Sequence, residues 1–317
     1  MRAVWLKEFG APEVLVPGEA LDPVPAPGQV LIEVKFANIT FIETQFRATG
    51  AGPFAAELPM ILGNGVGGAV AAVGDGVDRD LLGSRVVASL GGSGGYAEKA
   101  VVDAAALIPV PDGLDLDQAV ALLADGRTAT MLVRAAGVRT GDRVLVEAAA
   151  GGVGSLLVQL AAATGALVVG LAGGAHKVEL VRGLGAEVAI DYRVDGWEQR
   201  VREAVEGVDV VFDGVGGAVG RSAFELLERE GRMLSYGLAS GSWANISPAE
   251  AAERGVQLIQ ARSNPAELRE FTAQALAAAA AGRLRPLIGQ RFPLDQAAEA
   301  HAAIGARTSV GKTLLEI

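Results

Sequence analysis

Cysteine is absent from this chain of 317 residues, and histidine occurs only twice. The absence of thiols excludes disulfide bonds, thiolate zinc sites and cysteine nucleophiles. The two histidines, His176 and His301, lie far apart in the sequence, and His301 falls in an alanine-rich helical pattern that is typical of a packing or solvated role. The sequence therefore predicts that the protein holds no metal ion.

Positive charge is also scarce, since 27 lysines and arginines face 37 acidic residues and leave a net charge of −10. This excess of negative charge argues against nucleic acid or an anionic membrane surface as a partner. No apolar segment is long enough to span a bilayer without charge or glycine, and the N-terminus turns polar at Lys7 and Glu8. We therefore expect a cytoplasmic protein whose partner is a small molecule.

Glycine, by contrast, is abundant at 43 residues. The most informative glycines lie in the pattern Ala148-x-x-Gly151-x-x-Gly154, between an apolar strand pattern at 144–146 and a helical leucine pattern. Small residues allow a sharp turn and a close approach of the backbone to phosphate oxygens, while the following helix offers free N–H groups and the positive end of its dipole. The pattern predicts a dinucleotide site.

Two regions with different patterns of apolar residues surround this turn. Short apolar segments with helical patterns between them predict a doubly wound parallel sheet; they lie at 166–171, 188–190, 208–212 and 232–236. Alternating strands between glycine and proline turns predict an antiparallel barrel; they lie at 29–36, 67–73, 85–89, 96–102 and, after the sheet region, 312–317. We expect an α/β protein with a discontinuous catalytic domain at 1–122 and 263–317 and a cofactor domain at 123–262.

The choice of dinucleotide depends on the residues about 20 positions beyond the glycines, where an acid would hold the ribose 2′-hydroxyl of NAD. The chain reads LAGGAHK at 171–177 and has no carboxylate before Glu179. Lys177 or His176 would supply positive charge to a 2′-phosphate, although Lys177 alone is more typical of a solvated helix turn. This segment, which includes Gly173, favours NADPH over NADH.

A series of motifs also resembles a known family. They are MRAVWLKEFGAPEVL at the start, APGQVLIEVKFANITFIETQFRATG, GGYAEKAVV at 94–102, GRTA at 126–129, AAAGGVG at 148–154, LGAEVAIDYR at 184–193, DGVGG at 213–217 and VGKTLLEI at the end. In this order they resemble the zinc-independent medium-chain dehydrogenase/reductases of the quinone oxidoreductase, or zeta-crystallin-like, branch. The resemblance covers essentially the whole chain and implies a GroES-like barrel joined to a Rossmann domain.

The resemblance also implies roles for individual residues. The AAAGGVG turn would hold the pyrophosphate, and the GRTA threonine would lie beside the nicotinamide ribose. Two positions match contacts to the 2′-phosphate, and loops after later strands match those that line the nicotinamide. With Gly173, the cofactor residues so implied are Thr128, Gly151, Gly152, Val153, Gly154, Lys177, Tyr192, Gly214, Val215 and Leu238.

The chain departs from the family near the substrate. Thr40, Glu43 and Gln45 stand where asparagine, aspartate and tyrosine are usual, and Thr40 and Gln45 are our candidates for polar substrate contacts. Asp125 and Arg127 stand where glutamine and leucine are usual. Such a charged pair would bind a polar or carboxylated substrate, or would form a local salt bridge with no chemical role.

These features lead to three hypotheses about function. Without a metal or a well-placed acid, the chain would stabilise negative charge only weakly, which suits acceptors whose anions are delocalised. We therefore expect an NADPH-dependent reductase of quinones or activated alkenes. An enoyl-thioester or polyketide-tailoring reductase is the second hypothesis, and a low-turnover NADPH-binding sensor or structural protein is the third. The resemblance also implies a homodimer, with the apolar segment 256–260 at a sheet edge as its interface.

Overall fold

The computed structural model of the chain describes residues 1–52, 54 and 57–317. Its internal contacts divide it into two compact units, Met1–Ala124 with Thr272–Ile317, and Asp125–Phe271. The two limits between these units fall inside helices. The sequence predicted domains at 1–122 with 263–317 and at 123–262. These boundaries concern independently folding domains, and they stay a prediction.

Strands and helices follow one another along the whole chain. The strands are β1 (Arg2–Leu6), β2 (Leu15–Glu19), β3 (Gln29–Ile39), β4 (Met60–Ile61), β5 (Gly65–Val73), β6 (Arg85–Ser89), β7 (Lys99–Asp103), β8 (Ile108–Pro109), β9 (Arg143–Val146), β10 (Leu167–Ala172), β11 (Val188–Asp191), β12 (Val208–Asp213), β13 (Leu227–Ser235), β14 (Gln257–Leu258), β15 (Ile288–Pro293) and β16 (Lys312–Glu316). The helices are α1 (Phe41–Thr49), α2 (Leu116–Ala136), α3 (Gly152–Ala163), α4 (Ala175–Gly183), α5 (Trp197–Val205), α6 (Gly217–Glu225), α7 (Pro248–Arg254), α8 (Pro265–Ala280) and α9 (Ala297–Gly305).

The first unit is built around the long strand β3. Its sheet has the order β15-β16-β3-β5-β6-β8, β7 also pairs with β3, and a smaller sheet has the order β2-β1-β4. Along β3, Val30, Ile32 and Val34 are buried while Glu33 and Lys35 are exposed. This period of two places one row of side chains in the core, where each contributes about 1.5–3 kcal/mol to stability.

One strand of this unit begins later than the sequence pattern indicated. The pattern predicted a strand at 96–102, whereas β7 begins at Lys99. Tyr96 instead bonds to other neighbours, because its N–H donates to the Leu62 carbonyl at 2.8 Å and its carbonyl accepts from the Val4 N–H at 2.9 Å. The residue therefore joins the β1 and β4 side of the unit before the chain turns to pair with β3.

The second unit contains a parallel sheet of order β11-β10-β9-β12-β13-β14. Beginning at β9 and counting along the chain, this order is 3-2-1-4-5-6, the arrangement of a doubly wound dinucleotide-binding fold. Val144, Leu145 and Val146 of β9 are all fully buried, as expected for a central strand covered on both faces. The predicted fold class, an α/β protein with a mainly antiparallel unit and a doubly wound parallel sheet, is confirmed.

The strand order has a direct consequence for the residues proposed from the sequence. The carboxyl ends of parallel strands meet at one edge of the sheet, and ligands bind at this edge in folds of this kind. Most of the predicted cofactor residues follow β9, β10, β11, β12 or β13, and so lie on loops at that edge. The fold therefore gathers positions that are as much as 87 residues apart in sequence, from Gly151 to Leu238.

The parallel sheet begins with β11 and ends with β14 in the strand order. Over the described residues the edge strand β14 pairs only with β13. Leu258 on this strand is 38% exposed. A homodimer formed at this edge stays a prediction.

In the part of the chain that the structure describes, no helix has the length and apolar character needed to cross a membrane.

Candidate functional site

The turn after β9 is shaped by residues without large side chains. Ala148 adopts a positive φ of 46°, and the carbonyl of Ala148 accepts a hydrogen bond from the Gly151 N–H at 2.8 Å. A Cβ atom on Gly154 would overlap the carbonyl oxygen of Ala148, and one on Gly151 would lie 3.1 Å from it. The tight turn that the glycine pattern predicted therefore requires glycine at position 154 in particular.

Helix α3 begins directly after this turn. Gly151 is its N-cap residue and provides no side-chain hydrogen bond, and the first turn contains no acidic residue. The first N–H groups of a helix lack partners within the helix and carry the positive end of its dipole. Gly152 and Val153, the first two residues of the helix, are half-buried, so the start of α3 is partly exposed at the sheet edge. The arrangement suits an anion such as a pyrophosphate.

A second turn, between β10 and α4, brings cations to the same edge. Gly173 and Gly174 precede the helix, and Lys177 lies in its first turn. Directly after the next strand, β11, Tyr192 and Arg193 reach over these glycines, since a Cβ atom on Gly173 would lie 3.4 Å from both Tyr192 Oη and Arg193 Cδ. A Cβ atom on Gly174 would overlap the guanidinium of Arg193.

Arg193 was not identified from the sequence, although it follows Tyr192 in the same motif. Its Nε lies 3.2 Å from Asp191 Oδ1, an ion pair that holds the guanidinium beside the glycines. Burial first, and the positive charge of Arg193 second, lower the pKa of the Lys177 ammonium. Two cations that repel each other at a helix N-terminus favour an anion close to both.

The loops after β12 and β13 are tied to each other by backbone hydrogen bonds. The Ser240 N–H donates to the Val215 carbonyl at 2.8 Å, and the Ala239 N–H donates to the Gly214 carbonyl at 3.3 Å. A Cβ atom on Gly214 would lie only 2.6 Å from the Tyr236 hydroxyl. Gly214 and Val215 are buried and Leu238 is half-buried, so the three predicted nicotinamide residues form one packed corner of the sheet edge.

The remaining predicted cofactor residue, Thr128, lies on α2 in the second unit and is half-buried. The charged residues beside it differ in exposure, because Asp125 is buried and Arg127 is half-buried. Burial lowers the pKa of Arg127, and the charge of Asp125 partly offsets this effect. The alternatives of a substrate contact and a local charge pair stay open for these two residues.

The two predicted substrate residues lie on α1 in the first unit. Thr40 is the N-cap residue of α1, and both its N–H and its hydroxyl donate to Glu43 Oε2 at 2.6 Å. The other oxygen of Glu43 accepts from the Asn64 N–H at 2.8 Å. The Thr40 hydroxyl proton is therefore already used, so this hydroxyl is placed to accept rather than to donate a hydrogen bond. The Gln45 side chain, in contrast, is exposed.

Tyr96 and His301 form a buried pair in the same unit. The Tyr96 hydroxyl lies 2.9 Å from His301 Nε2, and the two rings pack edge to face. Burial lowers the pKa of His301 to about 3, and burial also raises the pKa of Tyr96. Since both side chains are at most 1% exposed, the pair stabilises the core of this unit.

This pair predicts loss of stability in acid. The unfolded chain takes up a proton on His301 near pH 6.5, whereas the folded chain does so only near pH 3. Stability is therefore lost as the pH falls through this window, by about 1.4 kcal/mol per pH unit for one proton. Chemical denaturation of His301→Gln should show a shallower decline between pH 6.5 and pH 4.5. Tyr96→Phe, which leaves the imidazole buried, should keep the steep decline; equal slopes for all three proteins would contradict this account.

Comparison with known proteins agrees with this architecture. Residues 26–112 match the family described as "Alcohol dehydrogenase GroES-like domain", and residues 184–315 match the one described as "Zinc-binding dehydrogenase". The chain is 33% identical to the quinone oxidoreductase of Pseudomonas aeruginosa over 99% of both chains. It is 34% identical to the 2-haloacrylate reductase of a Burkholderia species, over 99% of this chain and 98% of that one.

Solved structures give the same result. The mycobacterial protein Rv1454c, solved in complex with NADPH, is 33% identical and superposes with a TM-score of 0.90 over 100% of both chains. Despite the zinc in one family description, the residues that the structure describes contain no group of three or more His, Cys, Asp or Glu side chains arranged to hold a metal ion. The absence of a metal stays a prediction.

The identity over the full length, the two matched families and the shared fold agree with one another. The chain is an enzyme of the medium-chain dehydrogenase/reductase family and belongs to its quinone oxidoreductase branch.

Proposed function

We propose that this enzyme binds NADPH and transfers hydride to a quinone or to an activated alkene such as an enone or enal. The observation that carries the choice of NADPH is the pair of cations, Lys177 and Arg193, beside Gly173 and Gly174 at the N-terminus of α4. A relative of the same fold, 33% identical, was solved in complex with NADPH, which supports the same choice.

The residues at the sheet edge fit such a cofactor part by part. The glycine turn and the start of α3 would hold the pyrophosphate at Gly151, Gly152, Val153 and Gly154. Lys177, Tyr192 and Arg193 would contact the 2′-phosphate, with Gly173 leaving room for it. Thr128 would contact the nicotinamide ribose, and Gly214, Val215 and Leu238 would line the nicotinamide. The size limit at Gly154 and Gly214, where a Cβ atom has no room, supports this fit.

When bound, NADPH supplies the hydride, and the protein must then accommodate negative charge on the acceptor oxygen. We propose Thr40 and Gln45 as polar substrate contacts. Because the Thr40 hydroxyl donates to Glu43, Gln45 is the better donor of the two. Such limited assistance suits quinones and activated alkenes, whose anions are delocalised, better than simple ketones.

The names of the relatives support both acceptor classes, since one is a quinone oxidoreductase and another reduces 2-haloacrylate. The latter acceptor is an activated alkene with a carboxylate. Arg127, half-buried beside Thr128, has the charge to bind a carboxylate, which makes carboxylated alkenes a second candidate class. Enoyl thioesters stay an alternative.

The test is oxidation of NADPH, followed at 340 nm, with quinones, 2-enals, 2-haloacrylates and enoyl thioesters as acceptors and with NADH in parallel. We expect turnover with quinones or activated alkenes and a preference for NADPH, and we expect a chelator to leave the rate unchanged. Tight NADPH binding without turnover of any acceptor would instead favour the sensor or structural role. Absence of NADPH binding would overturn the proposal.

A homodimer and a cytoplasmic location complete the proposal. The edge strand β14, with the half-exposed Leu258, supports pairing between two copies. Light scattering of the wild-type protein should give twice the mass of one 32.3 kDa chain.

A further inference from the structure

Two carboxyl groups lie side by side beneath the predicted nicotinamide loops. Glu147 follows β9 and Asp213 ends β12, and both side chains are 0% exposed. The strands are neighbours with Val146 opposite Phe212, so Glu147 and Asp213 come next in the same register. Neither residue was assigned to cofactor binding from the sequence.

Three of the four carboxyl oxygens hold the loops at the sheet edge. Glu147 Oε2 accepts from the Val215 N–H at 3.0 Å, and Asp213 Oδ1 accepts from the Gly216 N–H at 2.7 Å. Asp213 Oδ2 accepts from the Ser235 hydroxyl at 2.7 Å. The fourth oxygen, Glu147 Oε1, has no partner of normal hydrogen-bond geometry among the described residues. The turn at 214–216 is thus attached to the sheet through this carboxyl pair.

The groups around Glu147 and Asp213 do not favour ionisation of both carboxyl groups. The charged groups that act on Glu147 and on the nearby Tyr236 are carboxylates, namely Asp213, Asp125 and Glu147 itself. The Tyr236 hydroxyl donates to the backbone carbonyl of Glu147 at 3.3 Å and not to its carboxyl group. Two carboxyl groups buried together retain one proton between them, because ionisation of both would be opposed by burial and by repulsion.

The direction of titration follows from the same contacts. Burial, then the charge of Asp213, then sharing of the proton with Asp213 raise the pKa of Glu147 well above its usual value. The folded chain therefore keeps a proton that the unfolded chain has lost above about pH 4.5. Stability from this group is fully present below that pH and is lost as the pH rises through the folded pKa.

We propose that Glu147 is a positioning residue for the cofactor, which accepts from the Val215 N–H, donates a proton to the neighbouring Asp213 and thereby fixes the 214–216 turn against the nicotinamide. Loss of this proton in alkaline solution then loosens the turn and weakens NADPH binding. The inference rests on the proposed function of the sheet edge.

The experiment compares the wild-type protein with Glu147→Gln and Glu147→Ala by calorimetric titration of NADPH from pH 7 to pH 10. Glutamine keeps both contacts without a titrating proton, because its carbonyl accepts from Val215 and its amide donates to Asp213. We expect the dissociation constant of the wild type to rise by about tenfold across this range, the effect of one lost hydrogen bond. We expect Glu147→Gln to lose less affinity than the wild type over this range, keeping only the loss that comes from other groups such as Lys177, whose pKa is lowered. We expect Glu147→Ala to bind about tenfold more weakly at pH 7.

A matched control is Glu43→Gln, which also removes a fully buried carboxyl group whose pKa is raised by burial, but on α1 in the first unit. This variant should keep the alkaline loss of NADPH affinity. A wild-type-like pH profile for Glu147→Gln, or unchanged affinity of Glu147→Ala at pH 7, would overturn the inference.

Thermal denaturation without NADPH separates this inference from the proposed function. The wild type should lose thermal stability between pH 7 and pH 10, and Glu147→Gln should lose less, whether or not the protein binds NADPH. If this difference is present while NADPH does not bind, the carboxyl pair holds the turn and the proposed cofactor is wrong. If the difference is absent, the shared proton is wrong.

Discussion

Replacement of Lys177 or Arg193 by alanine is expected to weaken NADPH binding about ten- to hundredfold for each cation, because a hydrogen bond to a charged group contributes about 1.5–3 kcal/mol. NADH lacks the 2′-phosphate, so its binding should change little. The loss should be larger for Arg193→Ala, since Asp191 then loses its ion pair and presents an uncompensated negative charge to the phosphate.

The measurement is the ratio of kcat/KM for NADPH to that for NADH, together with the dissociation constants of both cofactors. Arg182→Ala is the matched control, because Arg182 lies on the same helix and pairs with the exposed Glu179. Exposed ion pairs of this kind contribute at most about 1 kcal/mol to stability, and this one lies away from the turn. Equal losses for NADPH and NADH in Lys177→Ala and Arg193→Ala would show that neither residue contacts the 2′-phosphate.

Gly154→Ala is expected to abolish tight binding of either cofactor. The added Cβ atom would overlap the Ala148 carbonyl oxygen and lie 2.8 Å from the Ala148 carbonyl carbon and 3.0 Å from Ala149 Cα. These are backbone atoms, so the start of α3 must move away from the turn. Overpacking of this kind costs about 1–3 kcal/mol of stability, and the displaced N–H groups no longer face the pyrophosphate.

Calorimetry with NADPH and NADH, and thermal denaturation of the free protein, would test this expectation. We expect affinity for both cofactors to fall at least about a hundredfold, the factor that about 2.7 kcal/mol gives, with a decrease in Tm of several degrees. Gly183→Ala is the control, because among the described residues no atom beyond its chain neighbours and its own helix backbone lies within 4 Å of its Cβ position, and Gly183 is not in the left-handed region. Near-normal cofactor binding by Gly154→Ala would mean that this turn does not hold the pyrophosphate.

The parallel sheet and the glycine turn could be predicted from the sequence because their signals are local. A central strand such as β9 is a short, wholly apolar run, and the turn after it needs small residues at fixed spacing. Strand ends were less accurate. The pattern at 232–236 indicated the end of β13 but missed its start at Leu227, since the three residues after Leu227, at 228–230, are polar and exposed and interrupt the apolar signal.

Arg193 and Glu147 could not be assigned in this way, because their partners are distant in sequence or belong to another loop. Arg193 reaches Gly174 only because β11 lies beside β10. Glu147 meets Asp213 only because β12 lies on the other side of β9, in a register that places their ends together. The strand order 3-2-1-4-5-6 places β11 beside β10 and β12 beside β9. This order joins segments that are distant in the sequence, so no local sequence pattern contains it.

The sequence by itself determined the α/β class, the glycine turn, the lack of thiol chemistry and the absence of an acid after β10, because each depends on residue types and spacings within a few turns of chain. Only the tertiary structure decided which charges meet. It placed the two cations Lys177 and Arg193 near each other at one helix end and bonded Thr40 to Glu43 at another. It also placed Glu147 beside Asp213 under the predicted nicotinamide loops. Electrostatic energies depend on distance and burial, and both are set by strand order and register.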